Sequence, residues 1–193
     1  MIIWINGAFG VGKTHTSYEL CRRIDNGFLF DPEKVGYFLR ENLPRAKEYD
    51  DFQYLPLWRR QVLENLIYCE EKQVITIVPM TIVNDEIFDF IIGGLRRQGA
   101  DVRHFSLMAG KETIEKRLTR RGDKNAWNFK QVDRCLSALI KPKYNMHIDT
   151  DKHSIDEVVE LIADNVQLTL STGRLKGVLK GINRIRTTLK NIR

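Results

Sequence analysis

The chain opens MIIWINGAFGVGKTHTSYELC (Met1 to Cys21), and within it Gly7, Gly12, Lys13 and Thr14 spell G-x-x-x-x-G-K-T. The apolar run before the motif predicts a buried strand that delivers the chain into a turn whose successive backbone N–H groups point inward. Glycines permit such a turn. In this arrangement the lysine reaches the β- and γ-phosphates of a nucleotide and the threonine hydroxyl is offered to Mg²⁺. The following helix then turns its positive end to the phosphates. The candidate ATP-binding loop is therefore Gly7, Ala8, Phe9, Gly10, Val11, Gly12, Lys13, Thr14 and His15, with Thr14 the candidate Mg²⁺ ligand.

Outward from the loop, apolar runs suited to buried parallel strands recur at 2–5, 28–30, 74–78, 102–107 and 146–148. Each precedes a stretch with helical spacing, at 14–24, 33–42, 57–71, 85–98, 111–121, 127–139 and 154–166. Ser154-Ile-Asp-Glu157 reads as a capping box at the start of the last of these. Alternating strands and helices predict an α/β fold built on a doubly wound parallel sheet, with ligands at the C-terminal ends of the strands.

The 193 residues suit one compact domain over 1–170 with a tail at 171–193. Cys21, Cys69 and Cys135 are odd in number and form no C-x-x-C pair, which points away from a disulfide framework or a zinc site and towards the cytoplasm. No apolar run reaches the roughly 18 residues of a membrane span, and with the phosphate loop starting at residue 7 no leader is expected. The net charge is +6, yet the tail alone carries seven basic residues and no acid, so residues 1–170 sum to −1. A nucleic-acid footprint on the folded part is not expected.

The residues after each strand should line one cleft. After the second strand comes Asp31-Pro32-Glu33, where Asp31 is placed either to accept a proton from an attacking hydroxyl or simply to cap the next helix. After the third comes Pro79-Met80-Thr81-Ile82, with no metal-holding acid. Met80 and Thr81 are candidate acceptor contacts, as are Arg40, Trp58 and Arg59, although a tryptophan in such a helix commonly belongs to the core. Arg117 and Arg121 share a helix face, and Arg134 follows about half a helix on; such guanidiniums on a mobile flap suit closure over triphosphate oxygens, or else form a solvated basic face. Lys13, Asp31, Arg121 and Arg134 are the candidate catalytic set, and Arg117 with Arg121 the candidate nucleotide-binding arginines. His15, His104, His147 and His153 show no metal-ligand spacing, and the loop around Asp149-Thr150-Asp151 should meet adenine through its backbone.

Together with the phosphate loop, FDPEKVGYFLR, FQYLPLWR, VPMTIVNDEIF, HFSLMAGKETIEKRL and QVDRCLSAL resemble the tunicamycin-resistance ATP-binding proteins of the TmrB type. More broadly the chain is similar to the nucleoside-monophosphate, shikimate and gluconate kinases and to chloramphenicol phosphotransferase. The resemblance implies a three-layer P-loop fold with a five-stranded sheet of order 2-3-1-4-5, an arginine-bearing lid over ATP, and a base at the position of Asp31. It also implies a small, nucleoside-like acceptor such as tunicamycin, either phosphorylated or only sequestered.

In the tail, Leu175, Val178, Leu179, Ile182, Ile185, Leu189 and Ile192 recur at three- and four-residue spacing, with Lys176, Lys180 and Arg184 opposite. A basic amphipathic helix from residue 173 on is expected to lie on an anionic membrane surface, at the inner face of the cell membrane. The alternatives are that the stripe packs on the protein's own core or on a partner helix.

Overall fold

The computed structural model describes residues 1–123 and 126–190. Five parallel strands, β1 (Ile2–Gly7), β2 (Gly27–Leu29), β3 (Ile75–Pro79), β4 (Val102–Met108) and β5 (His147–Asp149), form one sheet in the order β2-β3-β1-β4-β5. This is the order that the resemblance implied. β1 lies between β3 and β4, with Ile3 opposite Ile77 on one side and Arg103 on the other. Covered on both faces, β1 buries Ile2, Ile3, Trp4 and Ile5 completely, which is why its sequence is continuously apolar rather than alternating.

The crossovers are α1 (Lys13–Arg23), α2 (Pro32–Asn42), α3 (Pro56–Glu71), α4 (Asp85–Phe88), α5 (Gly94–Arg97), α6 (Lys111–Arg120) and α7 (Ala126–Leu139), and α8 (Ile155–Asn165) follows the last strand. Between α4 and α5 the chain is π-helical over Asp89–Gly93, so the single helix expected there has a widened middle turn. α1 packs on α8, α2 on α3, and α6 on α7. At the start of α8 the capping box is present: the Ser154 hydroxyl accepts from the Glu157 N–H at 3.4 Å, and the Glu157 carboxylate accepts from the Ser154 N–H at 2.7 Å.

The tail helix, α9 (Gly177–Lys190), begins four residues later than the spacing indicated. The reason is local. Gly177 is left-handed at φ 51°, and the chain before it is pinned in irregular form by Arg22 and Arg23, which donate to the backbone carbonyls of Gly173 and Thr172. α9 lies along α1 with its polar side inward. Thr187 is buried, Lys180 pairs with Asp156 at the start of α8, and the Thr188 hydroxyl meets His15 Nε2 at 3.2 Å. Val178, Leu179, Ile182 and Ile185 are 56–78% exposed, so the apolar stripe does not pack on the protein's own core. The Leu189 side chain, Ile192 and Arg193 lie outside the described residues.

One buried side chain joins the two strand ends that flank the phosphate loop. Asn6 accepts from the Gly7 and Ile82 N–H groups at 2.8 and 3.0 Å and donates to the Ile82 carbonyl at 2.7 Å. Its amide nitrogen also lies 3.2 Å from His104 Nε2. His104 is itself a core residue, packed edge-on to Phe88 and held mostly neutral by burial, with its pKa lowered to about 4. Asn6→Ala orphans three backbone groups in an apolar surround, and we expect it to lower the unfolding free energy by about 2–4 kcal/mol in urea titrations.

Candidate functional site

The loop between β1 and α1 is built by backbone conformation. Gly7 and Gly12 have φ of 146° and 113°, and a Cβ on Gly7 would stand 2.7 Å from Val11 Cγ1 and 2.8 Å from the Leu107 carbonyl oxygen. Gly12 opens α1 without a side-chain cap, and the first turn holds no acid. The helix therefore presents uncapped N–H groups and its positive end to the cleft.

Lys13 is the central charge. Its Nζ donates to the Gly7 and Ala8 carbonyls at 2.9 and 3.0 Å and lies 5.4 Å from the Phe9 ring centre. Burial lowers its pKa to about 8; Glu33 is the strongest opposing influence, and the Arg121 charge adds to the lowering. Thr14 is half-buried, and its hydroxyl makes no hydrogen bond among the described residues, leaving one hard oxygen donor at the helix start. Among those residues no group of three His, Cys, Asp or Glu side chains is placed to hold a metal ion.

Across the cleft, Asp31 caps α2: its carboxylate accepts from the Glu33 N–H at 3.1 Å, ahead of Pro32 in the first helical position. Capping uses one carboxylate oxygen and does not exclude chemistry at the other. Thr81 is buried and donates to the Gly7 carbonyl at 2.7 Å, while the buried Met80 accepts at its carbonyl from Trp4 Nε1 at 3.0 Å. Both residues thus brace the entrance of the phosphate loop. Trp58 is wholly buried, with Nε1 donating to the Pro32 carbonyl at 3.0 Å. Arg40 donates to the Tyr49 and Asp50 carbonyls and stands over Phe52, and Arg59 donates to the Gln53 carbonyl. These three side chains fold the α2–α3 connection into place.

The arginines divide. Arg117 is a fastener: its guanidinium donates to the Thr150 hydroxyl and carbonyl at 2.9 and 2.8 Å and to the Val11 carbonyl at 3.3 Å, tying α6 to both the phosphate loop and the β5–α8 loop. Arg121 pairs with Asp123 at 2.5 Å, just beyond α6. Arg134 is exposed on α7, and its charge acts on Asp51 and Cys135. Phe9 stands edge-on to Trp127, 5.3 Å between centres, linking the loop to the start of α7. His15 continues α1 and meets α9 through Thr188.

Two acids were not singled out from the sequence. Glu33 couples to Lys13 because the first turn of α2 faces the loop; its place two residues past Asp31 was the available signal. Asp51 is buried and caps the short turn Phe52–Tyr54 through the Gln53 N–H at 3.0 Å. Burial pushes its carboxyl pKa up against the pull of Arg134 and Arg40.

The chain matches no family model and no curated protein sequence. Among solved structures it is similar to the Deinococcus radiodurans tunicamycin resistance protein, with 34% identity over 89% of this chain and 99% of that one, at a TM-score of 0.76. The chain belongs to the tunicamycin resistance protein family. This family member also shares its fold with the shikimate kinase of Bacteroides thetaiotaomicron, at 15% identity and a TM-score of 0.59 over 87% of this chain and 99% of that one. A third similar fold is the Mycobacterium tuberculosis APS kinase, whose structure holds AMPPNP and APS, at 16% identity and a TM-score of 0.63 over 86% and 96% of the two chains.

The lowered pKa of Lys13 gives a signed expectation. The unfolded lysine keeps its proton to its ordinary 10.5 and the folded one only to about 8, so its charge costs stability at neutral pH, a cost lifted as pH rises between these values. A bound polyphosphate favours the ammonium and so takes up a proton above pH 8. ATP affinity measured by calorimetry should fall by up to about tenfold per pH unit above that value, and Lys13→Met should abolish both binding and its pH dependence.

Proposed function

We propose that the protein gives resistance to tunicamycin as an ATP-dependent phosphotransferase acting on a hydroxyl of this nucleoside-like antibiotic. The observation that carries the reading is the Lys13 ammonium, buried beside an uncapped helix start and acted on by Glu33 in the first turn of α2, the helix that Asp31 caps. Fold likeness to small-molecule kinases supports it. The acceptor oxygen forms a bond to the γ-phosphorus, the bond from that phosphorus to the β–γ bridging oxygen breaks, ADP leaves, and the hydroxyl proton passes to the Asp31 carboxylate. Lys13, Arg121 and Arg134 neutralise charge developing on the phosphoryl oxygens. Mg²⁺ would be held by Thr14, phosphate oxygens and water, and would supply charge neutralisation; a single hydroxyl donor suits an ion that keeps most of its water. Arg117 and the Thr150 region form the nucleotide side, and Arg40, Arg59, Trp58, Met80 and Thr81 shape the acceptor side.

A second reading, ATP-dependent sequestration of the drug without transfer, is favoured by Thr81, a hydroxyl hydrogen-bonded to Gly7 where an acid would hold metal. Mass spectrometry of tunicamycin after incubation with Mg-ATP separates the two. We expect a gain of one phosphoryl group, lost by about 10²- to 10⁴-fold in rate in Asp31→Asn with ATP binding retained. An unmodified but bound drug would select sequestration instead.

We assign residues 1–170 to the kinase-like domain and 171–193 to a tail whose helix α9 lies on the membrane surface at the cytoplasmic face. No helix among the described residues is long and apolar enough to cross a membrane. The outward apolar face of α9, with Lys176 exposed just before the helix and Arg184 exposed on it, supports interfacial docking. The intact protein should co-sediment with anionic liposomes, less so at high salt, and Leu179→Asp combined with Ile182→Asp should abolish sedimentation without lowering the melting temperature.

A further inference from the structure

Phe9 is the one aromatic residue among the eight that spell the phosphate loop, Gly7 to Thr14. Its ring centre lies 5.4 Å from Lys13 Nζ. That ammonium is the group that reaches the β- and γ-phosphates, so the ring stands at the reacting end of the nucleotide. Trp127 meets Phe9 edge-on, 5.3 Å between centres and 74° between planes, and both rings are half-buried.

The indole is held at this distance by the two helices that lead to it. Gly10 comes so close to α6 that a Cβ on it would stand 2.9 Å from Leu118 Cγ, and Arg117 fastens the same helix to the Val11 carbonyl. α6 ends in a turn closed by the Gly122 and Asp123 N–H groups, which donate to the Thr119 and Leu118 carbonyls at 2.9 and 3.1 Å. Asp123 then accepts from Asn128 Nδ2 at 2.9 Å, next to Trp127 in the first turn of α7, and Lys111 pairs with Asp133 at 2.7 Å further along that helix. Loop, α6 and α7 together place two aromatic rings in series beside the buried ammonium.

The two ends of the loop are tied to different parts of the protein. Val11 is joined through Arg117 to Thr150 and the β5–α8 loop, the side assigned to the nucleotide's own base, whereas Phe9 is joined to Lys13 and to α7. A half-exposed indole binds a flat unsaturated ring by stacking, and every base has a π-face, so such binding does not depend on the pattern of hydrogen-bonding groups around the ring.

We propose that Trp127, backed by Phe9, is a specificity-determining residue that stacks on a flat, nucleobase-like ring of the acceptor. The proposal rests on the phosphotransferase reading above and adds to it the part of the acceptor that is recognised. The acceptor presents a hydroxyl to the γ-phosphorus beside Lys13 and, a sugar's length away, its ring to the indole. A stacked base has two sources here, the acceptor and the adenine of ATP, and the place of Phe9 at the Lys13 end of the loop selects the acceptor.

The test is calorimetry on the full chain in the presence of AMPPNP, with tunicamycin and uridine as the probes. Trp127→Ala should bind both about ten- to a hundredfold more weakly than wild type, the usual worth of one stacked base, while Trp127→Phe recovers most of the loss. Trp127→Leu, which keeps apolar bulk without a π-face, should fall with Trp127→Ala. AMPPNP affinity and melting temperature should be unchanged in all three. Equal tunicamycin and uridine affinity in Trp127→Ala and wild type, equal affinity in Trp127→Leu and Trp127→Phe, or a matching loss of AMPPNP affinity would overturn the proposal and leave phosphoryl transfer standing. A wild-type chain that bound AMPPNP but neither tunicamycin nor uridine would remove the acceptor reading and this proposal together.

Discussion

The buried ammonium of Lys13 is the constraint around which the rest is arranged. Its two carbonyl contacts on Gly7 and Ala8 satisfy hydrogen-bond geometry without supplying a full counter-charge, and burial disfavours its ionised form. A polyanion is the group that restores the charge. To keep that ammonium in place, the loop must hold glycine conformations, which requires its entrance to be clamped. Asn6 and Thr81 do this from the ends of β1 and β3, and Arg117 does it from α6 through the Val11 carbonyl. The sheet order follows the same need, since only a central β1 brings β3 and β4 to both sides of one loop.

The strand–loop–helix start, the five strands and their helices were legible because their signals are local: continuous apolar runs for strands buried on both faces, and a capping box whose two residues lie three apart. The candidate site was legible where it coincides with the motif and less so across the cleft, where residues are set by packing. Trp58 faces the Pro32 carbonyl because α2 and α3 pack together, and nothing in the sequence around it says which of its faces meets the cleft. Arg40 and Arg59 likewise turn to backbone carbonyls of a connection whose path no periodicity encodes. Glu33 was overshadowed by Asp31, and Asp51 reads as an ordinary turn acid until its burial is known.

The tail shows how far periodicity goes. The spacing of Val178, Leu179, Ile182 and Ile185 identifies an apolar face, but a moment has no sign with respect to the body of the protein. Two polar contacts, Lys180 to Asp156 and Thr188 to His15, together with the burial of Thr187, decide that this face looks outward. The helix start was misplaced because the tethers from Arg22 and Arg23 act across some 150 residues of sequence.

The edge-on contact of Phe9 with Trp127 makes the protein its own spectroscopic reporter. Of its three tryptophans, Trp4 and Trp58 sit in the core with their indole N–H groups fixed on carbonyls, sealed from solvent whatever the cleft holds. Trp127 is half-exposed and leans on a phosphate-loop side chain, so movement of α7 relative to the loop alters the surroundings of that indole first. Emission from the unlabelled chain therefore carries a nearly constant background from two buried rings and a variable part from the third. Any shift of α7 against the phosphate loop can be followed in time without attaching a dye.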